Sequence, residues 1–196
     1  MRSDLQLIAD LIKPGARVLD LGCGAGDLLA GLASQKQANG YGLDVDPDNI
    51  TTCLGRGVNV IEQNLDAGLS NFPDDSFDMV VMTETLQSVR NPSELVDEML
   101  RIARECVVTF PNFGHWRCRL HLALKGTMPV ASHLPHGWYD TPNIHLCTFK
   151  DFEQLCREKA ITIRRRLVVS SDHRGEPLPG RMPNLFGQVA FYHLSR

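Results

Sequence analysis

The chain contains no apolar run of membrane-spanning length, no CxxC pair, no HExxH, no internal repeat and no low-complexity tract. Each absence closes a class of protein. Without about 20 consecutive apolar residues, no segment reads as a transmembrane helix. Without paired CxxC, the six cysteines (Cys23, Cys53, Cys106, Cys118, Cys147 and Cys156) match neither a zinc ribbon nor a thioredoxin-like redox site. The N-terminus does not read as a secretion signal. Asp4 and Asp10 interrupt its apolar residues, and no small-residue cleavage site follows. Free thiols and a cytoplasmic protein are therefore expected. An excess of basic charge is also missing. The 20 Lys and Arg face 23 Asp and Glu, for a net charge of −3. That balance argues against nucleic-acid binding through a broad basic surface, and Arg164-Arg165-Arg166 is too short a run to change it.

What is present is enough for one core: 196 residues, of which 43% are hydrophobic. A single domain over residues 1–196 is expected, with an insertion at about 112–147. The most informative segment is 17–26, Arg-Val-Leu-Asp-Leu-Gly-Cys-Gly-Ala-Gly. An aliphatic run stops at Gly22, Gly24 and Gly26 follow, and a helically spaced apolar segment begins. This is strand, glycine turn, helix. Glycines at the tip let a ligand lie against bare backbone, and the first amides of the helix point to the same place. Further strands are expected at 40–45, 58–62, 77–83, 106–110, 161–169 and 188–194. Leu5, Ile8, Ala9 and Ile12 fit one face of a short first helix. Asp46-Pro47 and Asn91-Pro92 read as capped helix starts, and Thr148 as the cap of a later helix. Alternation of continuous apolar strands with helices means a parallel sheet covered on both faces, with the last two strands antiparallel at one edge.

In such sheets ligands sit beyond the carboxyl ends of the strands. Asp20 closes the first strand, Asp44 closes the second, and Asp66 follows the third. A carboxylate at Asp44 has two acceptor oxygens for the two hydroxyls of a ribose. Asp66 is placed to accept from the exocyclic amine of an adenine. The turn is GxGxG, not the dinucleotide pattern GxGxxG, because Asp27 follows Gly26. A negative charge there disfavours a pyrophosphate but tolerates a ligand with an amino group and a sulfonium. S-adenosylmethionine carries both. The bland alternative is a tight strand–helix link, which does not explain the three acidic residues.

Here the sequence resembles the class I S-adenosylmethionine-dependent methyltransferases, through residues 18–26, Gly42-Leu-Asp-Val-Asp-Pro47, Leu65-Asp66-Ala67 and Phe77-Asp78. The resemblance implies an α/β, Rossmann-like fold with a seven-stranded, mostly parallel sheet and an antiparallel last strand. It also implies a site for S-adenosylmethionine or S-adenosylhomocysteine comprising Asp20, Gly22, Gly24, Gly26, Asp44, Val45 and Asp66. A narrower set of blocks, Gly57-Val-Asn-Val-Ile61, Leu65-Asp-Ala-Gly-Leu69, Thr85-Leu-Gln87, Pro111-Asn-Phe-Gly-His-Trp-Arg117 and Trp138-Tyr-Asp-Thr-Pro-Asn-Ile-His-Leu-Cys-Thr148, resembles the MetW family of methionine biosynthesis proteins. This resemblance implies work alongside a homoserine O-acyltransferase, acetyl or succinyl, and supplies no methyl acceptor. Two departures stand out: Glu84 in place of a glutamine-like residue, and Gln63-Asn64 where a glycine is usual. A methyltransferase acting on a small molecule stays open as the alternative.

Residues 112–146 hold both tryptophans and five of the seven histidines. The histidines and cysteines there match no common metal spacing, so no metal is expected. His115 reads either as a general base or, better, as part of a packed turn. His145 is expected to position the cap of the following helix. A helix over 115–125 would put Trp116, Leu120, Ala123 and Leu124 on one side. The basic residues Arg117, Arg119, His121 and Lys125 fit a solvated face or, beside tryptophans, a docking surface for another protein.

Overall fold

The computed structural model describes residues 3–169 and 182–196. Seven strands form one sheet: β1 (Arg17–Leu21), β2 (Asn39–Asp44), β3 (Asn59–Glu62), β4 (Phe77–Thr83), β5 (Ala103–Pro111), β6 (Thr162–Val169) and β7 (Val189–Ser195). Their order is β3-β2-β1-β4-β5-β7-β6. Strand β7 runs antiparallel to both β5 and β6, and the pairings among the first five strands are parallel. The helices are α1 (Ser3–Leu11), α2 (Asp27–Lys36), α3 (Pro47–Gly55), α4 (Pro92–Ile102), α5 (Trp116–Lys125), α6 (Phe149–Glu158) and the single turn α7 (Pro183–Phe186). None of them is long and apolar enough to cross a membrane. Much of the expected loop at 172–187 lies outside the described residues.

The central strands are apolar throughout because both faces are buried. In β4, Val80 and Met82 join one core with α4, α6 and Phe110, while Met79 and Val81 join the other with α1 and α2. The same alternation puts Leu19 and Leu21 of β1 into the first core and Val18 into the second. Asp20 therefore points to the α1/α2 face, into an otherwise apolar layer. At the other end of the sheet Phe110, Phe149, Phe152 and Tyr192 pack ring against ring, with Phe152 and Tyr192 centroids 4.8 Å apart. The Tyr192 hydroxyl donates to Glu153 at 3.1 Å, which ties α6 to β7 without leaving a buried hydroxyl unpaired.

Several helix starts behave as the residues dictate. Asp46 accepts from the Asp48 amide at 2.9 Å ahead of Pro47. Thr148 and Asp151 form a reciprocal capping box on α6. Asn91 does not cap: its side chain makes no cap bond, and α4 starts from Pro92 alone. Helix α5 also departs from expectation. Only Cys118 is buried along it, whereas Trp116, Leu120, Leu122 and Leu124 are exposed. Its apolar residues face out.

The glycine turn after β1 is built from three left-handed residues, Gly22, Gly24 and Gly26 (φ 71°, 54° and 75°). Their environments differ. A Cβ on Gly22 would meet the Thr85 hydroxyl at 2.5 Å, and one on Gly26 would meet Cys53 Sγ at 2.9 Å. A Cβ on Gly24 would meet no atom within 4 Å. Gly24→Ala should therefore cost only the left-handed backbone penalty, about 1–2 kcal/mol. Gly22→Ala should cost about 1–3 kcal/mol more, because it adds overpacking to the same penalty. Urea denaturation of the two variants measures the difference. Equal losses would show that Thr85 yields freely.

Candidate functional site

Parallel pairing of β1 with β2 puts Leu21 opposite Leu43, and pairing with β4 puts Leu21 opposite Met82. All three strands thus end at one edge, where the glycine turn, Asp44 and Glu84 meet. Asp44 binds the turn together. Its Oδ2 accepts the Gly24 amide at 2.8 Å, and its Oδ1 accepts the Val45 and Asp46 amides, each at 2.9 Å. The Asn49 side-chain amide adds a fourth bond at 3.3 Å. Val45 contributes its amide to this array while its side chain lies at the surface. The start of α2 has no side-chain cap, so Gly26 leaves the first turn of amides open to a ligand.

Asp20 is in a different state. It is 2% exposed, and its Oδ1 is buried with no hydrogen-bond partner. Burial, reinforced by the Asp44 charge, pushes its carboxyl up to about 7. The folded chain then holds this proton more tightly than the unfolded chain does. Its contribution to stability is complete below about pH 4 and is lost as pH rises through about 7. Asp20, Gly22, Cys23, Gly24, Ala25, Asp27, Thr83 and Glu84 line a cleft of about 240 Å³. A buried acceptor without a donor, beside a glycine whose missing Cβ leaves open space, fits a polar cation such as the ammonium or sulfonium of S-adenosylmethionine.

Asp27 does not confront a ligand unaccompanied. Arg56 pairs with its carboxylate and also donates to the Ala25 carbonyl at 2.9 Å. Glu84, on the cleft wall, adopts a left-handed φ of 51°, and its amide donates to the Thr109 carbonyl at 3.0 Å. Such backbone is uncommon outside glycine and concentrates at functional sites. Residue type alone carries no signal of it.

Asp66 sits apart from this cleft. Its Oδ1 accepts the Arg90 amide at 2.7 Å, and the Arg90 guanidinium stands 3.5 Å from its other oxygen. It lines a separate cavity of about 200 Å³ with Leu65, Gly68, Leu69, Asn91 and Glu94. Asn64, the departure noted in the sequence, accepts the Asp66 amide at 2.9 Å and so sets the turn that carries it. The structure therefore brings Asp20, Gly22, Gly24, Gly26, Asp44 and Val45 to one edge and sets Asp66 beside Arg90.

Residues 112–148 are tied back to the core by backbone bonds that the sequence does not announce. The Gln87 carbonyl accepts the amides of both Ile144 and His145, at 2.9 and 3.0 Å. Asn112 is fully buried, bonds the carbonyls of Asn184 and Gly187, and accepts the Gly114 amide. His115 Nδ1 accepts the Arg117 amide at 3.3 Å and so caps α5. Burial, with the His133 and Arg117 charges adding to it, pushes the His115 imidazole down to about 4, too low for an efficient base at neutral pH. The packed turn is what the geometry shows. His145 does not serve the α6 cap, because its Nε2 contacts the Arg90 carbonyl at 3.2 Å. The juxtaposition that sequence reasoning missed is His115, Cys118 and His133, all buried, with one donor atom of each within 4.8 Å of the others. Only the His115–Cys118 spacing of three residues hinted at it.

Comparison with known proteins places this geometry. The chain matches the family "Methionine biosynthesis protein MetW" over residues 2–194. It is 34% identical over 196 residues to the bifunctional methionine biosynthesis protein MetXA/MetW of Rhodopirellula baltica, a match covering 95% of this chain and 32% of that one. Over 100 residues it is 32% identical to the ubiquinone/menaquinone biosynthesis C-methyltransferase UbiE of Vibrio vulnificus, covering 47% of this chain and 38% of that one. It thus spans about a third of the length of these curated relatives. An S-adenosylmethionine-dependent methyltransferase from Mesorhizobium loti superposes with a TM-score of 0.71 at 16% identity, covering 99% of this chain and 98% of that one. The sheet order and this likeness make the fold that of the class I methyltransferases. Match over nearly its whole length, together with the identity to the bifunctional relative, shows that the chain belongs to the MetW family of methionine biosynthesis proteins.

Proposed function

We propose that this protein binds S-adenosylmethionine or S-adenosylhomocysteine at the glycine turn and acts as an accessory partner of a homoserine O-acyltransferase. The observation that carries the partnership is the bifunctional relative, in which a MetW part is joined to a MetXA part in one chain. Covalent joining gives two partners a high effective concentration, which is of use only to parts that work together. The surface supports the same reading. Trp116 is 40% exposed, Trp138 76% and Tyr139 78%. The Arg117 guanidinium lies 5.4 Å from the Trp116 ring centroid, and Trp138 and Tyr139 pack edge to face at 5.8 Å. Aromatics and arginine anchor protein interfaces, and the outward apolar residues of α5 extend the patch.

At the glycine turn, Asp44 stands ready for the ribose hydroxyls with its oxygens already oriented by backbone amides. Gly24 offers bare backbone, and Asp20 offers a buried acceptor to a cationic group. When bound, S-adenosylmethionine supplies an electrophilic methyl group. The second reading, methyl transfer to a small molecule in the cytoplasm, is favoured by the cleft wall at Glu84, where strained backbone sets a carboxylate beside the turn. Transfer to an ionised acceptor needs positioning more than a base.

Three outcomes are expected. In calorimetry, Asp44→Ala should weaken S-adenosylhomocysteine binding by about tenfold to a hundredfold, the worth of hydrogen bonds to a charged group. Equal binding by the folded variant would remove Asp44 from the site. A cation favours the charged form of Asp20, so binding should expel its proton. Affinity should then rise with pH up to about 7 and level off, and Asp20→Asn should flatten the profile. A flat wild-type profile would show that no cation reaches Asp20. Finally, the protein should co-purify with homoserine O-acyltransferase and change its turnover, and Trp116→Ala or Trp138→Ala should cost about 2 kcal/mol or more of that binding. If the wild type does neither, assay of methyl transfer becomes the decisive experiment.

A further inference from the structure

We propose that His115, Cys118 and His133 form a zinc site that staples residues 131–134 to the first turn of α5. The three side chains are 4%, 1% and 8% exposed. His115 is the α5 cap residue and Cys118 lies three residues on, so one helical turn brings both to the same side. His133 comes from the short turn closed by the Ala131–Leu134 bridge. Cys118 Sγ and His133 Nε2 are 3.7 Å apart. In a tetrahedral site with Zn–S about 2.3 Å and Zn–N about 2.0–2.1 Å, sulfur and nitrogen are about 3.6 Å apart. The donors all lie within 4.8 Å of one another, so a small inward movement closes the set.

The free cluster is poorly satisfied. His133 Nδ1 is buried and makes no well-formed hydrogen bond, with only a backbone interaction from Asn112 beside the ring, and Nε2 meets the Cys118 thiol, a weak donor and a weak acceptor. A buried imidazole in that state costs free energy that coordination recovers. On binding, the Cys118 thiol proton leaves to solvent and the thiolate and one nitrogen of each imidazole donate to the metal. Whichever nitrogen of His115 coordinates, its Nδ1 lone pair is no longer available to the Arg117 amide, and the long 3.3 Å cap bond is given up. Water takes the fourth position. Nitrogen and sulfur donors in a compact set select zinc over magnesium or calcium. The stretch between α5 and α6 contains no helix or strand beyond the Ala131–Leu134 bridge, so a metal cross-link supplies order there that packing does not.

The test uses the full chain, free of any affinity tag, with its thiols reduced. Titration with Co²⁺ should give the visible bands of tetrahedral cobalt and a near-ultraviolet thiolate charge-transfer band, saturating at one equivalent and displaced by Zn²⁺. Cys118→Ser should abolish the thiolate band, while Cys147→Ser, outside the cluster, should keep it. His133→Ala should weaken zinc by at least about a hundredfold in competition with a chromophoric chelator. Circular dichroism and cooperative thermal unfolding confirm that each variant folds. Absence of the cobalt bands in the folded wild type, or their persistence in Cys118→Ser, overturns the site.

Discussion

Everything at the edge with the glycine turn hangs on the Asp44 carboxylate. It takes the Gly24 amide from the turn after β1 and the Val45 and Asp46 amides from its own strand end. Those bonds lock two successive connections to one point. They require that β1 and β2 be parallel neighbours in register, since a shift of one residue would turn Asp44 to the opposite face. The sheet is thus the precondition of the site, and the two aliphatic cores that clamp the sheet from both sides are the precondition of the sheet.

Asp20 and Asp44 show how environment separates two like residues. Asp44 is surrounded by donors, so its oxygens are oriented. Asp20 points into the layer between the sheet and α1 and α2, and one of its oxygens has no partner. Burial and the neighbouring charge keep its proton on to about pH 7. A neighbouring cation would favour the charged form and draw that proton off. Gly24 works beside it as an absence: where Gly22 and Gly26 are held small by Thr85 and Cys53, Gly24 is held small only by its backbone angle and faces open space.

The surface of α5 obeys a different logic. Helix α5 buries Cys118 and shows its large apolar residues to the outside, the reverse of a helix serving its own core. The segment that follows is moored by the Gln87 carbonyl, and the turn that precedes α5 is moored by Asn112. A class I methyltransferase sheet supplies the rigid platform, and the long connection between β5 and α6 is carried on it.

The sequence by itself determined the sheet and its edge. The strands at 17–21 and 77–83 and the helix at 27–36 stand where the aliphatic runs and glycines put them, because strand period, helix period and turn chemistry are local. Asp20, the three glycines, Asp44 and Val45 follow from that, since the carboxyl ends of adjacent parallel strands coincide. Contacts between distant segments were decided by the tertiary structure alone. The inward or outward choice of α5 depends on what lies beside it, and its apolar spacing is the same either way. The engagement of Asp66 by Arg90, 24 residues on, needs a loop to return. The left-handed turn at Glu84 accompanies its hydrogen bond to Thr109 of the neighbouring strand, a contact between segments 25 residues apart. His133 reaches Cys118 only because the chain folds back on α5, and no spacing along a sequence encodes a donor set that the backbone assembles in space.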